Sequence, residues 1–553
     1  MAEKGVPWWR GAVVYQVYLR SFMDSNDDGQ GDLAGLIAKL DYIASLGVDA
    51  IWLSPIHPSP NRDWGYDVSD YEGVHPDYGT LADFDALIAA AHANGIRVLL
   101  DEVLCHTSDE HAWFQDSLKR GAKSDWYVWA DPKDDGTAPN NWLSAFGGPA
   151  WAYQPARRQH YHHKFLRQQP KLSWRNDDAR QAALNVLDLW LTRGADGFRL
   201  DVANAYLHDD QLRDNPPIPM DRRTSAIWGH AANLQRHIHD SNLPENVECL
   251  KDIRRTVEQH TNRFVFGEFS EGFERSGAYL PSDVGLHASY TFSMLRAHSL
   301  SPEFVREEID VMTRHPDYWP CVTLSNHDIM RTVTRFGGGR AGNPALAKLM
   351  LALLLSLRGT VLMYQGEELG LPEVDLRRDQ LRDPVGDLYY PIAKGRDGCR
   401  TPMPWNADAP NLGFTSGTPW LPLGPAHKPL AVSEQEKDTS STLNFARSFL
   451  AARKESPALT SGAIEEFKLG WLPATDAVIA FIRKAEGEQV LCVFNMSETS
   501  AEVRSVALAN TKPWDIGCGH AALNVRKVEL GPAGLRDAGV LALGPFACWF
   551  GRL

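Results

Sequence analysis

No Cys-x-x-Cys pair occurs anywhere in the chain, and its seven cysteines are scattered and odd in number. That usage argues against a disulfide framework and for a reducing compartment. There is no His-Glu-x-x-His stretch either, the compact spacing that seats a catalytic zinc on one helix. Basic blocks are missing: 56 Lys and Arg stand against 70 Asp and Glu, a net charge of −14. Nucleic acid and anionic membrane are therefore not expected as partners. The longest apolar helical run, Ala345 to Leu357, is interrupted by Lys348 and too short to span a bilayer. Met1 to Gly5 lead straight into Pro7-Trp8-Trp9, with no basic and then apolar leader, so a cytoplasmic protein is expected. Internal repeats and low-complexity tracts are also absent.

What is present in quantity is apolar and aromatic. The 43% apolar content is ordinary for a globular chain, and 553 residues are too many for one small domain. The 18 Trp and 16 Tyr supply flat faces that suit sugar rings, although most of them belong in a core. Ala12 to Leu19, Ala50 to Leu53, Ile96 to Asp101, Gly197 to Asp201, Arg263 to Glu268, His287 to Tyr290, Cys321 to Leu324 and Thr360 to Tyr364 read as strands. Helical patterns lie between them, among them Leu33 to Leu46 closed by Gly47 and Asp83 to Asn94 closed by Gly95. Strand and helix in alternation mean parallel strands with crossover helices, and eight such strands predict a (β/α)8 TIM barrel. The rhythm breaks at Cys105 to Trp174, rich in aromatics, Gly and Pro, which reads as an irregular excursion domain after the third strand. Beyond about Gly462 short apolar runs predict an antiparallel β-domain. The expected organisation is barrel over 1–104, excursion domain over 105–174, barrel again over 175–461 and β-domain over 462–553.

Carboxylates stand at the C-terminal ends of several of these strands, where this fold keeps its chemistry: Asp101, Asp201, Glu268 and Asp328. Arg199 is two residues before Asp201 and on the same strand face, a guanidinium placed to hold that carboxylate ionised as a nucleophile requires. Several acids at one mouth suit glycosidic bond cleavage, in which one carboxylate is ionised and another protonated near neutral pH. His106, His327 and Arg199 are suitable donors to a bound sugar, and the same histidines with acids make a metal site the alternative. A separate oxygen-rich loop, Asp24 to Asp32, places Asp24, Asn26, Asp28 and Asp32 at positions 1, 3, 5 and 9. Such a loop suits one structural Ca²⁺ or Mg²⁺, although Gly35 stands where an EF-hand has its closing glutamate.

Taken in order, Gly65-Tyr66-Asp67, Asp101 to His106, Gly197 to Asn204, Gly267-Glu268, Asn326-His327-Asp328, Tyr364 to Glu368 and Gly395 to Trp405 resemble the motifs of α-glucosidases in the α-amylase superfamily, glycoside hydrolase family thirteen. The resemblance implies Asp201 as nucleophile, Glu268 as general acid/base and Asp328 as the third, stabilising carboxylate of a retaining reaction. It implies that Tyr66 stacks on the glucose in the −1 subsite, and that Asp63 and Arg400 grip that sugar's 4-OH and close the site. His106, Arg199 and His327 are implied as its hydrogen-bonding partners, with Phe146, Phe165 and Gln169 as pocket walls from the excursion domain. Gln30 is implied to add its backbone carbonyl to the cation loop. Val202, directly after the nucleophile, leans toward α-1,6 acceptance in related subgroups. The loop Ala205 to Ser225 is placed to crowd the acceptor side.

Two departures stand out. Cys105 replaces the Asn usual before the histidine of the first motif, and Lys171 and Ser173 replace the Asp and Asn of the excursion-domain motif. The residues that hold a calcium between barrel and excursion domain in α-amylases are thus lost, and that cation is not expected here. Cys105 is expected to be buried and inert, for want of a basic partner at helix spacing. The resulting expectation is an exo-acting α-glucosidase of short saccharides without an organic cofactor, monomer or homodimer. The alternatives are a sucrose hydrolase, sucrose isomerase or α-glucosyltransferase on the same scaffold, and a non-catalytic amylase-like binding protein.

Overall fold

The computed structural model describes residues 6–219, 231–270, 285–299, 301–338, 342–467, 475–516, 521–529 and 535–553. Residues 1–5, where the absence of a leader was read, and 220–225 of the acceptor-side loop lie outside them.

Eight parallel strands form the centre: β1 (Val13–Val17), β2 (Ala50–Leu53), β3 (Arg97–Glu102), β4 (Gly197–Leu200), β5 (Phe264–Phe269), β6 (Ala288–Thr291), β7 (Cys321–Val322) and β8 (Thr360–Tyr364). They run in the order β7-β8-β1-β2-β3-β4-β5-β6, and a parallel bridge from Ser289 to Pro320 joins the last to the first. The sheet is therefore closed. Alternate residues of each strand go to different cores, as the two-residue period demands. Val14, Ala50, Trp52, Leu99, Phe264, Phe266, Tyr290 and Leu362 fill the barrel. Val13, Tyr15, Ile51, Leu53, Val98, Leu100 and Val361 point outward into the helix layer. Burial on both faces is why these strands read as unbroken apolar runs.

The expected helix over Leu33 to Leu46 is two helices, Leu33–Ile37 and Leu40–Leu46. Lys39 between them is non-helical at φ −112°, ψ 7°, with its ammonium over the Trp405 ring at 4.5 Å. The crossover helix ahead of β4, Asp177–Thr192, starts at an Asn176 side-chain cap and buries Trp190 completely. Gly194 then takes φ +114° to turn the chain into β4.

The excursion after β3 carries a three-stranded antiparallel sheet (Trp129–Ala130, Gln159–His162, Trp151–Gln154) and a short helix, Ala112–Leu118. It returns to the barrel beside its own start, through antiparallel bridges from His106 to Lys171 and from Tyr127 to Leu172. From Ala463 onward the chain forms two antiparallel sheets, packed around Val478, Leu491, Val493, Val503, Leu541, Leu543 and Trp549. Arg483 of this part donates to the Ser356 and Leu357 carbonyls at 2.7 and 2.8 Å, at the end of the apolar helix Pro344–Ser356. That guanidinium satisfies carbonyls a helix end leaves unpaired, and joins the two parts. Among the described residues no helix is long and apolar enough to cross a membrane.

Candidate active site

The C-terminal strand ends converge on one fully buried guanidinium. From β4, Arg199 Nη1 donates to Asp101 Oδ1 of β3 at 2.6 Å and to Asp201 Oδ1 at 2.8 Å. Its Nη2 lies 2.8 Å from Glu268 Oε2 of β5 and 3.0 Å from the Tyr290 hydroxyl of β6. Tyr290 in turn donates to Glu268 Oε1 at 3.2 Å, and the Val202 N–H to Glu268 Oε2 at 3.1 Å. Four strands thus set three carboxylates around one cation, and no local segment does so alone.

Asp328 comes from the other side of the mouth, beyond β7. Arg400 Nη2 donates to its Oδ1 at 2.8 Å and Arg396 Nη1 to the same oxygen at 3.2 Å. His327 Nε2 is 3.4 Å from Asp328 Oδ2 and 2.6 Å from the Tyr66 hydroxyl, which donates to Asp101 Oδ2 at 2.8 Å. The side-chain amide of Gln16 donates to His327 Nδ1 at 2.8 Å, so the ring proton is assigned to Nε2, which faces the acids. The Tyr66 and His327 rings stack with centroids 5.3 Å apart.

These surroundings separate the acids electrically. Burial is the largest influence on Glu268 and raises it to about 8, with Asp201 and Asp328 adding to the rise against the pull of Arg199. Burial likewise raises Asp201, to about 7, and Asp101, to about 6, in each case against Arg199. The expectation that Arg199 alone holds Asp201 low is corrected here. The guanidinium is shared with Asp101 and Glu268, so its pull on any one carboxylate is diluted. Glu268 and Asp201 share Arg199 and titrate as a pair, so burial keeps a proton on the pair near neutral pH. Asp328 is the exception: burial pushes it up, but His327, Arg396 and Arg400 outweigh this and hold it well below the usual range. Burial lowers His327 to about 3, so the ring is neutral.

Asp63 lies beside this cluster, 3% exposed, and the cation against it is Arg396, not Arg400. Arg396 Nη2 donates to Asp63 Oδ1 at 2.7 Å and to Asp383 Oδ1 at 2.7 Å, while Nε reaches Asp383 Oδ2 at 3.0 Å. Arg400 instead donates to the His327 carbonyl at 2.7 Å and to Asp328. The excursion domain supplies the wall. Gln169 Nε2 donates to Asp63 Oδ2 at 3.0 Å and to the Tyr66 carbonyl at 3.1 Å, and lies 3.2 Å from His106 Nε2. The Phe165 ring is 5.4 Å from His106 and 5.5 Å from Phe146, and Phe146 faces the Arg396 guanidinium at 5.2 Å. Every residue expected at the mouth is thus found there. Among the described residues no three His, Cys, Asp or Glu side chains are gathered as a metal cluster, either at this mouth or along Asp24 to Asp32.

The comparisons agree with this geometry. The profile of the α-amylase catalytic domain matches residues 16–462. The chain belongs to the α-amylase family. A probable alpha-glucosidase of Rhizobium meliloti (strain 1021) is 49% identical over 509 residues, 91% of each chain. The oligo-1,6-glucosidase of Parageobacillus thermoglucosidasius is 33% identical, covering 90% of this chain and 92% of its own. A solved alpha-glucosyl transfer enzyme, XgtA, superposes with a TM-score of 0.92 at 45% identity, covering 99% of this chain and 100% of its own.

As a member of this family the chain carries features its sequence concealed. Arg396 lies in the same Gly395 to Trp405 stretch as Arg400, one short turn earlier, and only the fold tells which of the two meets Asp63. Tyr290 and Gln16 were also missed, lying inside ordinary apolar strands with nothing to mark them. Cys105 does have a basic partner, contrary to expectation. The Lys171 Nζ is 3.5 Å from its sulfur, and both groups donate to the Ala205 carbonyl. Burial is the largest influence and raises the Cys105 thiol, but Lys171, His106 and Lys164 together outweigh it and bring it below the ordinary value.

The loop Asp24 to Asp32 is folded by its own side chains. Asn26, Asp28 and Gln30 donate their N–H groups to Asp24, Asn26 and Asp28 at 2.8–3.0 Å, and Gly29 to Asp24 Oδ2 at 2.7 Å. Gly29 is required: its φ is +92°, and a Cβ there would lie 2.0 Å from the Thr418 carbonyl oxygen. Asp32 accepts from the N–H and hydroxyl of Ser25, both at 2.9 Å, and caps the next helix through Gly35 N at 2.6 Å.

Proposed function

We propose that this enzyme is an exo-acting, retaining α-glucosidase that releases or transfers single glucose units from the non-reducing end of short α-glucosides. The observation that carries the reading is the arrangement of Asp201, Glu268 and Asp101 on Arg199, with Asp328 opposite and the Asp63–Arg396 pair beside them. In this reading Asp201 attacks the anomeric carbon. Glu268, the acid that keeps its proton to the highest pH, gives it to the departing oxygen. Ionised Glu268 then takes a proton from the incoming water or sugar hydroxyl as that oxygen displaces Asp201. Asp328, held anionic by two guanidinium groups, stabilises positive charge that develops on the sugar ring. Neutral His327, with Nε2–H facing the acids, and His106, whose Nδ1 has no protein partner, hydrogen-bond sugar hydroxyls, and Tyr66 offers its ring to the sugar face.

Asp63 and Arg396 make a charged wall over the 4-OH position. Charge-assisted contacts to a terminal hydroxyl leave no route for a chain to continue. On the other side, the loop after β4 is tied to the excursion domain. Asn140 Nδ2 and Trp142 Nε1 donate to the Leu212 and Arg213 carbonyls at 3.0 and 2.9 Å. Substrates are therefore short. Hydrolysis and transfer share the glucosyl-Asp201 intermediate and differ only in which acceptor reaches it. The names of the relatives, an alpha-glucosidase, an oligo-1,6-glucosidase and an alpha-glucosyl transfer enzyme, span that choice.

The loop Asp24 to Asp32 is proposed to hold one Ca²⁺ or Mg²⁺. Asp24, Asn26, Asp28, Asp32 and the Gln30 carbonyl are hard oxygen donors, pre-folded around a glycine at the sixth position. The cation would stabilise the loop and take no part in the reaction. A cytoplasmic site of action fits six described cysteines that are all unpaired. The test is product analysis on maltose, isomaltose, sucrose and trehalose. Glucose or glucosylated sugars from at least one α-linked disaccharide are expected, and inertness toward all four would overturn the reading.

A further inference from the structure

The turn that follows Asp201 is strained, and a buried lysine holds its far end. Val202, a β-branched residue, sits at φ +39°, in the left-handed region that such side chains avoid. That conformation aims the Val202 N–H at Glu268 Oε2 at 3.1 Å, while the next N–H, of Ala203, donates to the Glu268 carbonyl at 2.9 Å. The turn closes with Ala205 N donating to the Val202 carbonyl at 2.9 Å. The Ala205 carbonyl is then taken by Lys171 Nζ and, at 3.3 Å, by Cys105 Sγ.

Lys171 is completely buried. Among the described residues no carboxylate lies within ion-pair distance of it; Asp240 acts on it from farther off and the Cys105 thiol from beside it. A buried ammonium without a carboxylate is costly and persists where its hydrogen bonds do something else. Lys171 is bridged to His106, and the Leu172 N–H donates to the Cys105 carbonyl at 3.0 Å, so the lysine is itself fixed to the segment just after β3.

We propose that Lys171 is a positioning residue of the reaction: by holding the Ala205 carbonyl it keeps the strained Val202–Ala205 turn in place, and the turn's N–H orients and tunes Glu268. The inference rests on the assignment of Glu268 as the acid. The other groups facing Glu268 are Arg199 and Asp201 from β4, Asp101 from β3, Tyr290 from β6 and Asp328 beyond β7, and none of them changes in the test below. An N–H donated to a carboxylate favours its ionised form. Releasing the turn therefore raises the pH at which Glu268 ionises.

The test is the pH dependence of turnover of a disaccharide such as maltose, whose leaving group needs the Glu268 proton, by Lys171→Met and Lys171→Arg. For Lys171→Met the expected result is a kcat lower by ~10–100-fold, as for an ångström-scale misplacement, with KM nearly unchanged and the alkaline limb moved upward. Lys171→Arg, which keeps the charge and the donors, restores the limb. If Lys171→Met fails to fold, the pair is repeated on Val202→Asn, since Asn tolerates the left-handed region and needs less holding. There Lys171→Met should fold and cost less than in the parent. A Lys171→Met enzyme that is only less heat-stable, with kcat and both limbs unchanged, would overturn the proposal, as would equal costs in the two backgrounds. The underlying reading fails separately, if Glu268→Gln leaves the alkaline limb in place.

Discussion

Replacing Glu268 by Gln should inactivate the enzyme toward natural substrates and stabilise it. The carboxyl is nearly inaccessible and carries its proton up to about pH 8, against an ordinary value of 4.5. The folded state thus binds this proton more tightly than the unfolded chain. Stability present below pH 4.5 is lost as pH rises toward 8, and then levels off. At about 1.4 kcal/mol for each pH unit between the two values, the ceiling of that loss is ~5 kcal/mol. Gln is isosteric, can accept from Arg199 and Val202 and donate to Tyr290, and cannot ionise. Glu268→Gln should therefore match the parent near pH 4.5 and exceed it by ~2–5 kcal/mol at pH 8, measured by denaturant melts across that range. Kinetics supply the second half. In the parent, kcat/KM on maltose, whose leaving group needs the Glu268 proton, should fall about tenfold per pH unit above roughly pH 8 as that proton is lost. It should fall again below about pH 7, where Asp201 takes one up. The variant should still react with an activated aryl α-glucoside, whose leaving group needs no proton, and show only the acid limb there. An alkaline limb surviving in the variant, or equal stabilities at pH 8, would refute the reasoning.

Three further outcomes follow from the same geometry. Asp201→Ala should fold normally and lose at least ~10³-fold in kcat, because no covalent intermediate forms; retention of a tenth of the activity would exclude Asp201 as the nucleophile. Arg396→Met leaves Asp63 and Asp383 buried and unpaired. It should cost ~3–5 kcal/mol in a denaturant melt and raise KM for maltose, and unchanged KM would show that Asp63 and Arg396 do not meet the sugar. If the cation proposed for Asp24 to Asp32 is bound, chelation with EDTA should lower the melting temperature, while activity per folded molecule stays constant. Activity lost by the folded, chelated enzyme and restored by zinc would favour a metal-dependent mechanism.

Much of the barrel was legible because its strands are buried on both faces and end on acids. Asp101, Asp201, Glu268 and Asp328 announce themselves at the ends of apolar runs, and strand limits moved by only a residue or two. Less legible was anything set by partners far away in the chain. The Arg-x-Asp spacing at Arg199 reads as one ion pair, but burial of the strand ends, with Asp101 arriving from β3 beside it, raises Asp201 against that guanidinium and reverses the expected direction. Two arginines four residues apart in one motif cannot be told apart by spacing, and the fold gives Asp63 to Arg396. Lys39 suits a helix by propensity, so the break at that point does not show. Cys105 and Lys171 are 66 residues apart, and only the return of the excursion domain beside β3 puts them in contact.

The central claim is a site closed behind a single glucose, and the most direct measurement is kcat/KM on maltose, maltotriose, maltoheptaose and soluble starch with the first products identified. With Asp63 and Arg396 paired beside the acids, where the 4-OH is proposed to lie, and the loop after β4 tied to the excursion domain, efficiency should fall steeply with chain length. Glucose, free or transferred, should be the only unit removed early. Rapid loss of starch viscosity, with maltose and longer fragments appearing first, would mean an open cleft and contradict the account.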